Sequence, residues 1–181
     1  MIKTRIANPF VRGLVEWILA IGLAVILFFV LRMFLFRVAH VSGFSMAPTL
    51  SDGDRVILNR AAVVFGTARV GDIVAFPYPN NPSEYYIKRV IGISGDEVDL
   101  INGSFYVNGE PLEDAFSHDT IWSTGNVIFP VTVEEGHVFV LGDNRNASSD
   151  SRSSSIGMVD NRYILGRVLL RVLPFNKFGT V

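Results

Sequence analysis

Residues 98–109 have the sequence VDLINGSFYVNG, in which short apolar runs lie on either side of an Asn-Gly pair. Asn-Gly is the strongest short-range signal for a two-residue hairpin turn, because both residues tolerate the positive φ that the turn requires. Asn102-Gly103 therefore predicts a hairpin between strands at residues 98–101 and 105–107. Asn108-Gly109 marks another turn directly after it.

Similar short runs rich in Val, Ile, Phe and Tyr, separated by Gly, Pro, Asn and Asp, continue along the chain after His40. They predict further strands at residues 55–58, 72–76, 85–91, 137–141 and 166–173. Residues 114–130 are polar and residues 144–155 are rich in serine, so we predict loops there. The predicted fold class is mainly β, a β-rich core behind one N-terminal transmembrane helix.

The N-terminal segment departs from the β pattern. Residues 17–31 carry no charge and residues 33–36 continue the apolar run past Arg32, giving about 20 residues, enough to span a bilayer. A cleaved secretory signal is the alternative, but the run is long for one and residues 38–40 make a poor cleavage site. We predict a cytoplasmic tail at residues 1–13, a transmembrane anchor at 14–36 and an extracytoplasmic domain at 41–181. The charge bias that favours this orientation is slight.

Composition narrows the range of functions. Of the 181 residues, 49% are hydrophobic and 18% are charged, which excludes a disordered chain. Residues 1–40 contain five basic residues and one acidic residue, so 11 of the 16 basic and 16 of the 17 acidic residues follow them. This mildly acidic remainder argues against binding to nucleic acid. Because the chain has no cysteine, disulfides, zinc thiolate sites and thiol nucleophiles are excluded.

Lys88 stands out because lysine is scarce and this one lies in an apolar strand, YYIKRVI at residues 85–91. Residues two apart share a face of a strand, so Tyr86 and Val90 flank Lys88 while Arg89 points the other way. Burial lowers the pKa of a lysine and gives a neutral amine that can act as a base, a role that arginine cannot take. The alternative is a surface lysine on an edge strand.

Two other segments are candidates for chemistry. Residues 43–50, GFSMAPTL, form neither a good strand nor a good helix, and Pro48 restricts Ala47 to extended geometry, so the Ser45 hydroxyl is placed in a turn. Residues 142–152, GDNRNASSDSR, bring hydroxyls and opposite charges together. An ordinary turn and a solvated polar loop are the alternatives for these segments.

Behind an N-terminal anchor and in this order, the segments resemble the type I signal peptidases, which are membrane-bound serine proteases with a Ser-Lys dyad. The resemblance rests on SMxPTL at residues 45–50, RVGDIV at 69–74, YIKRVIG at 86–92 followed by GD at 95–96, and GDNxxxSxDSR at 142–152. These four motifs extend over most of the chain beyond the anchor.

The resemblance implies a β-rich catalytic core in which Ser45 is the nucleophile and Lys88 is the general base. It also implies that Ser148 hydrogen-bonds the Lys88 amine. Members that carry a hydroxyl residue two positions before the nucleophile use it in the oxyanion hole, whereas this chain has Gly43. The backbone N–H of Ser45 would remain, assisted by a Gly43 N–H or by water.

Further roles follow from the same resemblance. Asp150, with Arg152 and Arg89, would form a charge cluster that fixes the Ser148 loop against the Lys88 strand. The residues implied to shape shallow substrate pockets, for which ordinary core packing is the alternative, are Met46, Leu50, Tyr86 and Ile87. The implied substrates are the signal peptides of exported preproteins, cleaved after a small-x-small sequence, with no metal or organic cofactor. The lipid bilayer and the export translocon are the other expected partners.

Three other functions remain as alternatives. A non-catalytic, membrane-anchored β-domain would act in protein interaction, with a protonated Lys88 and no turnover. A self-cleaving repressor also uses a Ser-Lys pair, but that class has a DNA-binding module and no anchor. A Ser-His-Asp hydrolase would have to recruit His40, His118 or His137, and no G-x-S-x-G motif surrounds any serine.

Overall fold

The computed structural model describes residues 9–64, 66–113 and 120–181, so residues 1–8 of the predicted tail and 114–119 of a predicted loop lie outside the described residues. The chain divides into two units, residues 1–35 and 36–181. The first unit contains helix α1, Pro9–Leu35. The second contains eleven strands among the described residues, and these form two antiparallel sheets.

Helix α1 has the length and composition of a membrane-spanning segment. Among the described residues, only the stretch Phe10–Val30 of this helix is long and apolar enough to cross a bilayer. Large apolar side chains are exposed along it, including Trp17 at 71% and Leu23 at 68%. Such a surface is stable in lipid and costly in water. Phe36, which we expected at the end of the anchor, instead begins the first strand.

The larger sheet has seven strands in the order β1-β2-β11-β3-β4-β9-β10. Their bounds are Phe36–His40 for β1, Arg55–Asn59 for β2, Ile73–Tyr78 for β3, Asn81–Ile93 for β4, His137–Leu141 for β9, Val159–Asp160 for β10 and Gly166–Leu173 for β11. Four short helices accompany these strands: α2 at Ala61–Val64 and the 3-10 turns Arg145–Ala147, Asn161–Tyr163 and Phe175–Lys177.

The smaller sheet has four strands in the order β7-β6-β5-β8. Their bounds are Glu97–Ile101 for β5, Ser104–Val107 for β6, Glu110–Pro111 for β7 and Val131–Thr132 for β8. Strands β5 and β6 form the predicted hairpin, in which Ile101 faces Ser104. Asn102 and Gly103 have φ values of 50° and 78°, as a two-residue turn with positive φ at both positions requires.

The mainly β fold class is confirmed, and each of the seven predicted strands is present. The structure adds four strands that we did not predict. Three of them, β7, β8 and β10, have two residues each, which is too short for an alternating pattern to be recognised. The fourth, β1, pairs along its whole length with β2, and its side chains are largely exposed, so its sequence carries no burial signal.

Strand β4 decides where the functional residues lie. On one side it pairs with β3 from Asn81 to Arg89, but on the other side it pairs with β9 only from Arg89 to Ile93. In the part of the chain that the structure describes, no strand covers the second edge of residues 84–88. This half of β4 therefore leaves free backbone groups beside Lys88.

Candidate active site

Ser45 and Lys88 meet at the uncovered edge of β4. Lys88 Nζ lies 2.7 Å from Ser45 Oγ and donates a second hydrogen bond, at 3.1 Å, to the carbonyl oxygen of Ile87. The Lys88 side chain is buried, with 3% of the residue exposed. The surface-lysine alternative therefore does not describe this residue, and the geometry is that of a nucleophile within reach of its base.

Burial is the main influence on the charge of Lys88. It lowers the pKa of Lys88 to about 8, against an opposing influence of Asp150 and Asp143, which raise it. At 1.36 kcal/mol per pKa unit, a shift of this size means that the folded site disfavours the charged form of Lys88 by roughly 3 kcal/mol. A substantial fraction of Lys88 is then neutral near physiological pH, as a general base requires.

The ring of Tyr86 forms one wall of the Lys88 environment. Lys88 Nζ lies 5.0 Å from the ring centroid, close enough for a cation–π contact that favours the ammonium. The ring stacks on Tyr78 with centroids 4.7 Å apart and an angle of 6°, and its edge meets Phe76. A cation–π contact contributes about 0.5–2 kcal/mol, so desolvation is the larger effect on Lys88.

The segment that carries Ser45 is a series of turns held by its neighbours. The N–H of Ala47 donates to the carbonyl of Phe44 at 3.1 Å, and the N–H of Leu50 donates to that of Met46 at 2.8 Å. Met46 and Leu50 are buried in the same apolar cluster, with 2% and 0% exposed. Burial of these two side chains fixes the turn that presents the Ser45 hydroxyl.

Leu50 does not form part of a substrate pocket in this structure. It is fully buried in the core, as the alternative of ordinary packing proposed, and it does not line the cavity beside Ser45. Met46, Tyr86 and Ile87 do line that cavity. The correction has a simple cause: Leu50 is four residues past Met46 in a tight turn, and its side chain packs into the interior rather than towards Ser45.

Asp143 joins the strand of Lys88 to the Ser45 segment, and its motif did not single it out among the candidate residues. Its side chain is fully buried and accepts hydrogen bonds from Arg89 Nε and Nη2, both at 2.8 Å, and from Thr49 Oγ1 at 2.5 Å. The next backbone N–H, that of Asn144, donates to the carbonyl of Ser45 at 3.0 Å. The signal was available, because Asp143 lies inside the GDN motif and Thr49 inside SMxPTL.

The predicted charge cluster is divided between two carboxylates. Asp150 pairs with Arg152, whose Nε and Nη2 each lie 2.8 Å from its oxygens, and both residues are buried. Asp150 also accepts from the N–H of Gly142 at 3.0 Å. Arg89 pairs with Asp143 instead of Asp150, because it leaves β4 on the face opposite Lys88, and there it meets the Asp143 carboxylate.

Ser148 does not make the hydrogen bond to Lys88 that we predicted. Its Oγ is buried and makes no hydrogen bond within the described residues, whereas the Lys88 amine is occupied by Ser45 and Ile87. The hydroxyl lies directly over Gly142, where a side chain on that glycine would overlap both Ser148 Oγ and the Ser45 carbonyl. The absence of a Cβ at Gly142 thus permits the loop to approach the Ser45 turn.

The N–H of Gly43 is already engaged and is not free to bind an oxyanion. It donates to Asp52 Oδ1 at 2.8 Å, and Gly43 has a φ of 89°, a region that favours glycine. The expectation that this N–H assists in the oxyanion hole is therefore wrong for the structure as it stands. The N–H of Ser45 stays the predicted donor.

A cavity of about 480 Å³ opens beside the dyad. Its walls come from residues 40–46, from residues 84–88 of β4, and from Ala147 and Ser149 of the loop that follows Gly142. The cavity therefore lies along the uncovered edge of β4, with Ser45 and Lys88 among the residues that line it. An extended peptide placed there could pair with β4 and bring a carbonyl carbon to Ser45.

The family model for signal peptidase, peptidase S26, matches residues 14–173. The chain belongs to this family.

It is also 36% identical over 173 residues to signal peptidase I of Bacillus licheniformis, with 91% of each chain covered. Signal peptidase IB of Staphylococcus aureus is 34% identical over 182 residues, covering 92% of this chain and 93% of that one. A crystal structure of a signal peptidase I from Enterococcus faecalis is 32% identical, covers 55% of this chain and 95% of that one, and superposes with a TM-score of 0.47. The resemblance found in the sequence is thus confirmed.

Proposed function

We propose that Ser45 and Lys88 carry out the removal of signal peptides from exported preproteins through an acyl-enzyme on the Ser45 hydroxyl. The reaction class follows from the family: the chain is a serine endopeptidase that removes signal peptides. The assignment of the two residues is supported chiefly by one observation, the 2.7 Å distance between Lys88 Nζ and Ser45 Oγ at a buried site.

In the reactive state the Lys88 amine is neutral, so the hydrogen bond reverses and Ser45 O–H donates to Nζ. As Ser45 Oγ attacks the scissile carbonyl carbon, its proton moves to Lys88. The resulting ammonium donates a proton to the departing amine when the C–N bond breaks, which leaves an ester on Ser45. Lys88, neutral again, deprotonates the water that hydrolyses this ester. The hydrogen bond of Ser45 Oγ to Lys88 favours this dyad over a Ser-His-Asp arrangement.

Substrate binding is proposed to occur by strand addition at the uncovered edge of β4. Backbone hydrogen bonds to residues 84–88 would hold the peptide extended, and side chains at alternate positions would enter pockets in the cavity wall. Met46, Tyr86 and Ile87, which line the cavity, are the proposed pocket residues for the small side chains before the scissile bond. Ser148, Asp150 and Arg152 are proposed to fix the loop on the other side.

The proposed topology places the N-terminus in the cytoplasm and residues 41–181 on the extracytoplasmic face, where preproteins emerge from the export translocon. A membrane anchor within helix α1, Pro9–Leu35, belongs to this proposal. Phe175 and Phe178 are 82% and 64% exposed on either side of Lys177, a combination suited to a lipid–water interface. We expect this surface to touch the bilayer. Unchanged liposome binding by an anchor-deleted Phe175→Ala, Phe178→Ala variant would contradict that contact.

The dyad is tested by cleavage of a preprotein in detergent with the wild type, Ser45→Ala, Lys88→Ala and Lys88→Arg, all with a chelator present. We expect cleavage by the wild type alone. The kcat/KM of the wild type should rise with pH to about 8 and level off above it, because the free enzyme must lose the Lys88 proton. Cleavage by Lys88→Arg would rule out a neutral amine as the base, and an inactive wild type would favour a non-catalytic interaction domain.

A further inference from the structure

Glu84 lies in the wall of the active-site cavity, and the dyad chemistry does not use it. Residues two apart on a strand share a face, so Glu84 and Tyr86 precede Lys88 along the same face of β4. Glu84 is exposed, lines the cavity, and has one oxygen held by Asn81 Nδ2 at 2.8 Å. The carboxylate thus has a defined position at the edge on which we place the substrate.

The cavity has few charges with which Glu84 could pair. Among the described residues that line it, the ionisable groups besides tyrosine are His40, Glu84 and Lys88. Lys88 must be neutral when it acts as the base, and Ser45 occupies its amine. The influence of Glu84 reaches into the cavity, because it helps to raise the pKa of Tyr86, after burial and Tyr78. The reactive cavity therefore has a negative wall four residues from the base.

The position of Glu84 along β4 indicates which part of the substrate it meets. Four residues of a strand span about 13 Å, at 3.3 Å per residue, and an extended peptide beside β4 advances at the same rate. If Tyr86 and Ile87 face the small residues before the scissile bond, as proposed above, the peptide runs from Lys88 towards Glu84 on that side. Glu84 then faces the fourth or fifth residue before the bond.

We propose that Glu84 is a specificity-determining residue that makes the enzyme prefer a cationic side chain over a carboxylate at the fourth or fifth residue before the scissile bond. The inference deepens the proposed function and depends on it. A substrate carboxylate at that position would lie beside the Glu84 carboxylate, and no described cation in the cavity wall would offset the repulsion between the two. A substrate lysine or arginine at that position would instead form an ion pair with Glu84, partly exposed to solvent.

The test uses the full chain in detergent and three versions of one preprotein, with Gln, Lys or Glu at both the fourth and fifth residues before the cleavage site. The readout is the ratio of kcat/KM for the Lys and Glu substrates.

For the wild type we expect a ratio of about two to five at low ionic strength, the range of a single exposed ion pair. The ratio should shrink in about 0.5 M salt because exposed charges are screened. Glu84→Gln should bring it to about one, and Glu84→Lys should invert it.

Glu110→Gln is the matched control, because Glu110 is an exposed glutamate on β7 in the other sheet, and it should keep the wild-type ratio. A wild-type ratio near one, or a Glu84→Gln ratio equal to that of the wild type, would overturn the inference about Glu84. Cleavage of the Gln substrate by the wild type would still uphold the proposed function. Failure of the wild type to cleave any of the three substrates would overturn both.

Discussion

Arg89 and Asp143 form a two-point ion pair, with Nε–Oδ1 and Nη2–Oδ2 both at 2.8 Å, between the strand of Lys88 and the loop that contacts Ser45. Arg89 is the residue after Lys88. Asp143 also accepts from Thr49 Oγ1, four residues past Ser45. One buried carboxylate therefore links the neighbours of both residues, and this link helps to keep Lys88 Nζ and Ser45 Oγ 2.7 Å apart.

Asp143→Asn should impair both stability and activity. Arg89 would lose its ion pair with the fully buried side chain of residue 143, and breaking a buried ion pair costs about 3–5 kcal/mol. Chemical denaturation should show the loss, and kcat/KM should fall by at least about tenfold because the Ser45 turn is no longer fixed. Asp160→Asn, which breaks the Arg162 pair at the surface, is the control and should leave both quantities nearly unchanged. Wild-type activity in Asp143→Asn would contradict the positioning role.

Gly142→Ala should inactivate the enzyme without unfolding it. The added Cβ would overlap Ser148 Oγ and the Ser45 carbonyl, so the loop or the nucleophile turn must move. Overpacking of this kind costs about 1–3 kcal/mol, whereas a displacement of about 1 Å at the reacting atoms can cost about a hundredfold in rate. Gly13→Ala is the control, because nothing lies within 4 Å of the Cβ added there. A melting curve shows whether the variant is folded, and near-normal preprotein cleavage by Gly142→Ala would refute the close approach.

Lys88→Met should stabilise the protein while abolishing its activity. The wild type holds an amine whose pKa burial lowers from 10.5 to about 8, so its protonated form is disfavoured in the folded state. Replacing it by an apolar side chain of similar length removes that cost, and we expect a gain of about 0.5–2.5 kcal/mol at neutral pH, allowing for two lost hydrogen bonds. Thermal unfolding should register a rise of about 2–4 °C per kcal/mol.

The sign of the pH dependence follows from the same shift. Because the folded pKa lies below the unfolded one, the unfolded chain binds more protons between pH 8 and 10.5, and the stability contributed by Lys88 rises with pH across that window. The advantage of Lys88→Met should therefore be full below pH 8 and fade by about 10.5. A destabilised Lys88→Met with no pH trend would argue against a desolvated amine.

Gly43→Ser should not improve catalysis, although it restores the hydroxyl found two residues before the nucleophile in some relatives. Gly43 has a φ of 89° and its N–H is bound to Asp52, so a serine would strain the backbone by about 1–2 kcal/mol. We expect a lower melting temperature and a kcat/KM at or below that of the wild type. Gly43→Ala separates the two effects, because it carries the strain without the hydroxyl. Faster cleavage by Gly43→Ser than by the wild type would contradict this account.

The proximity of Ser45 and Lys88 could be predicted from the sequence because the motifs that carry them lie in short segments, and the structure places their side chains 2.7 Å apart. Arg89 was assigned to the wrong carboxylate because the sequence shows only that it faces away from Lys88. Which of Asp143 and Asp150 it meets depends on how the loop folds back on β4. The predicted Ser148 hydrogen bond is wrong for a similar reason, since the sequence cannot show that the loop places the Ser148 hydroxyl against the Gly142 backbone without a hydrogen bond to Lys88.

The strands were predictable where runs rich in Val, Ile, Phe, Tyr and Leu lie between turn residues, as in β4 and β11. The two-residue strands β7, β8 and β10 depend on pairing between distant segments and leave no local pattern. The uncovered edge of β4 is likewise a property of the sheet order. The strand itself was predicted, but the fact that β9 pairs only from Arg89 onward follows from tertiary structure.

The most direct test of the account is a titration of Lys88 by NMR in the detergent-solubilised protein labelled at the lysine side-chain nitrogen. The chain has three lysines, Lys3, Lys88 and Lys177, so the signals can be assigned by single substitutions. We predict that the Lys88 signal titrates with a pKa of about 8, and that Ser45→Ala leaves it in that range. Titration of Lys88 near the ordinary lysine value of 10.5 would contradict a buried, neutral base.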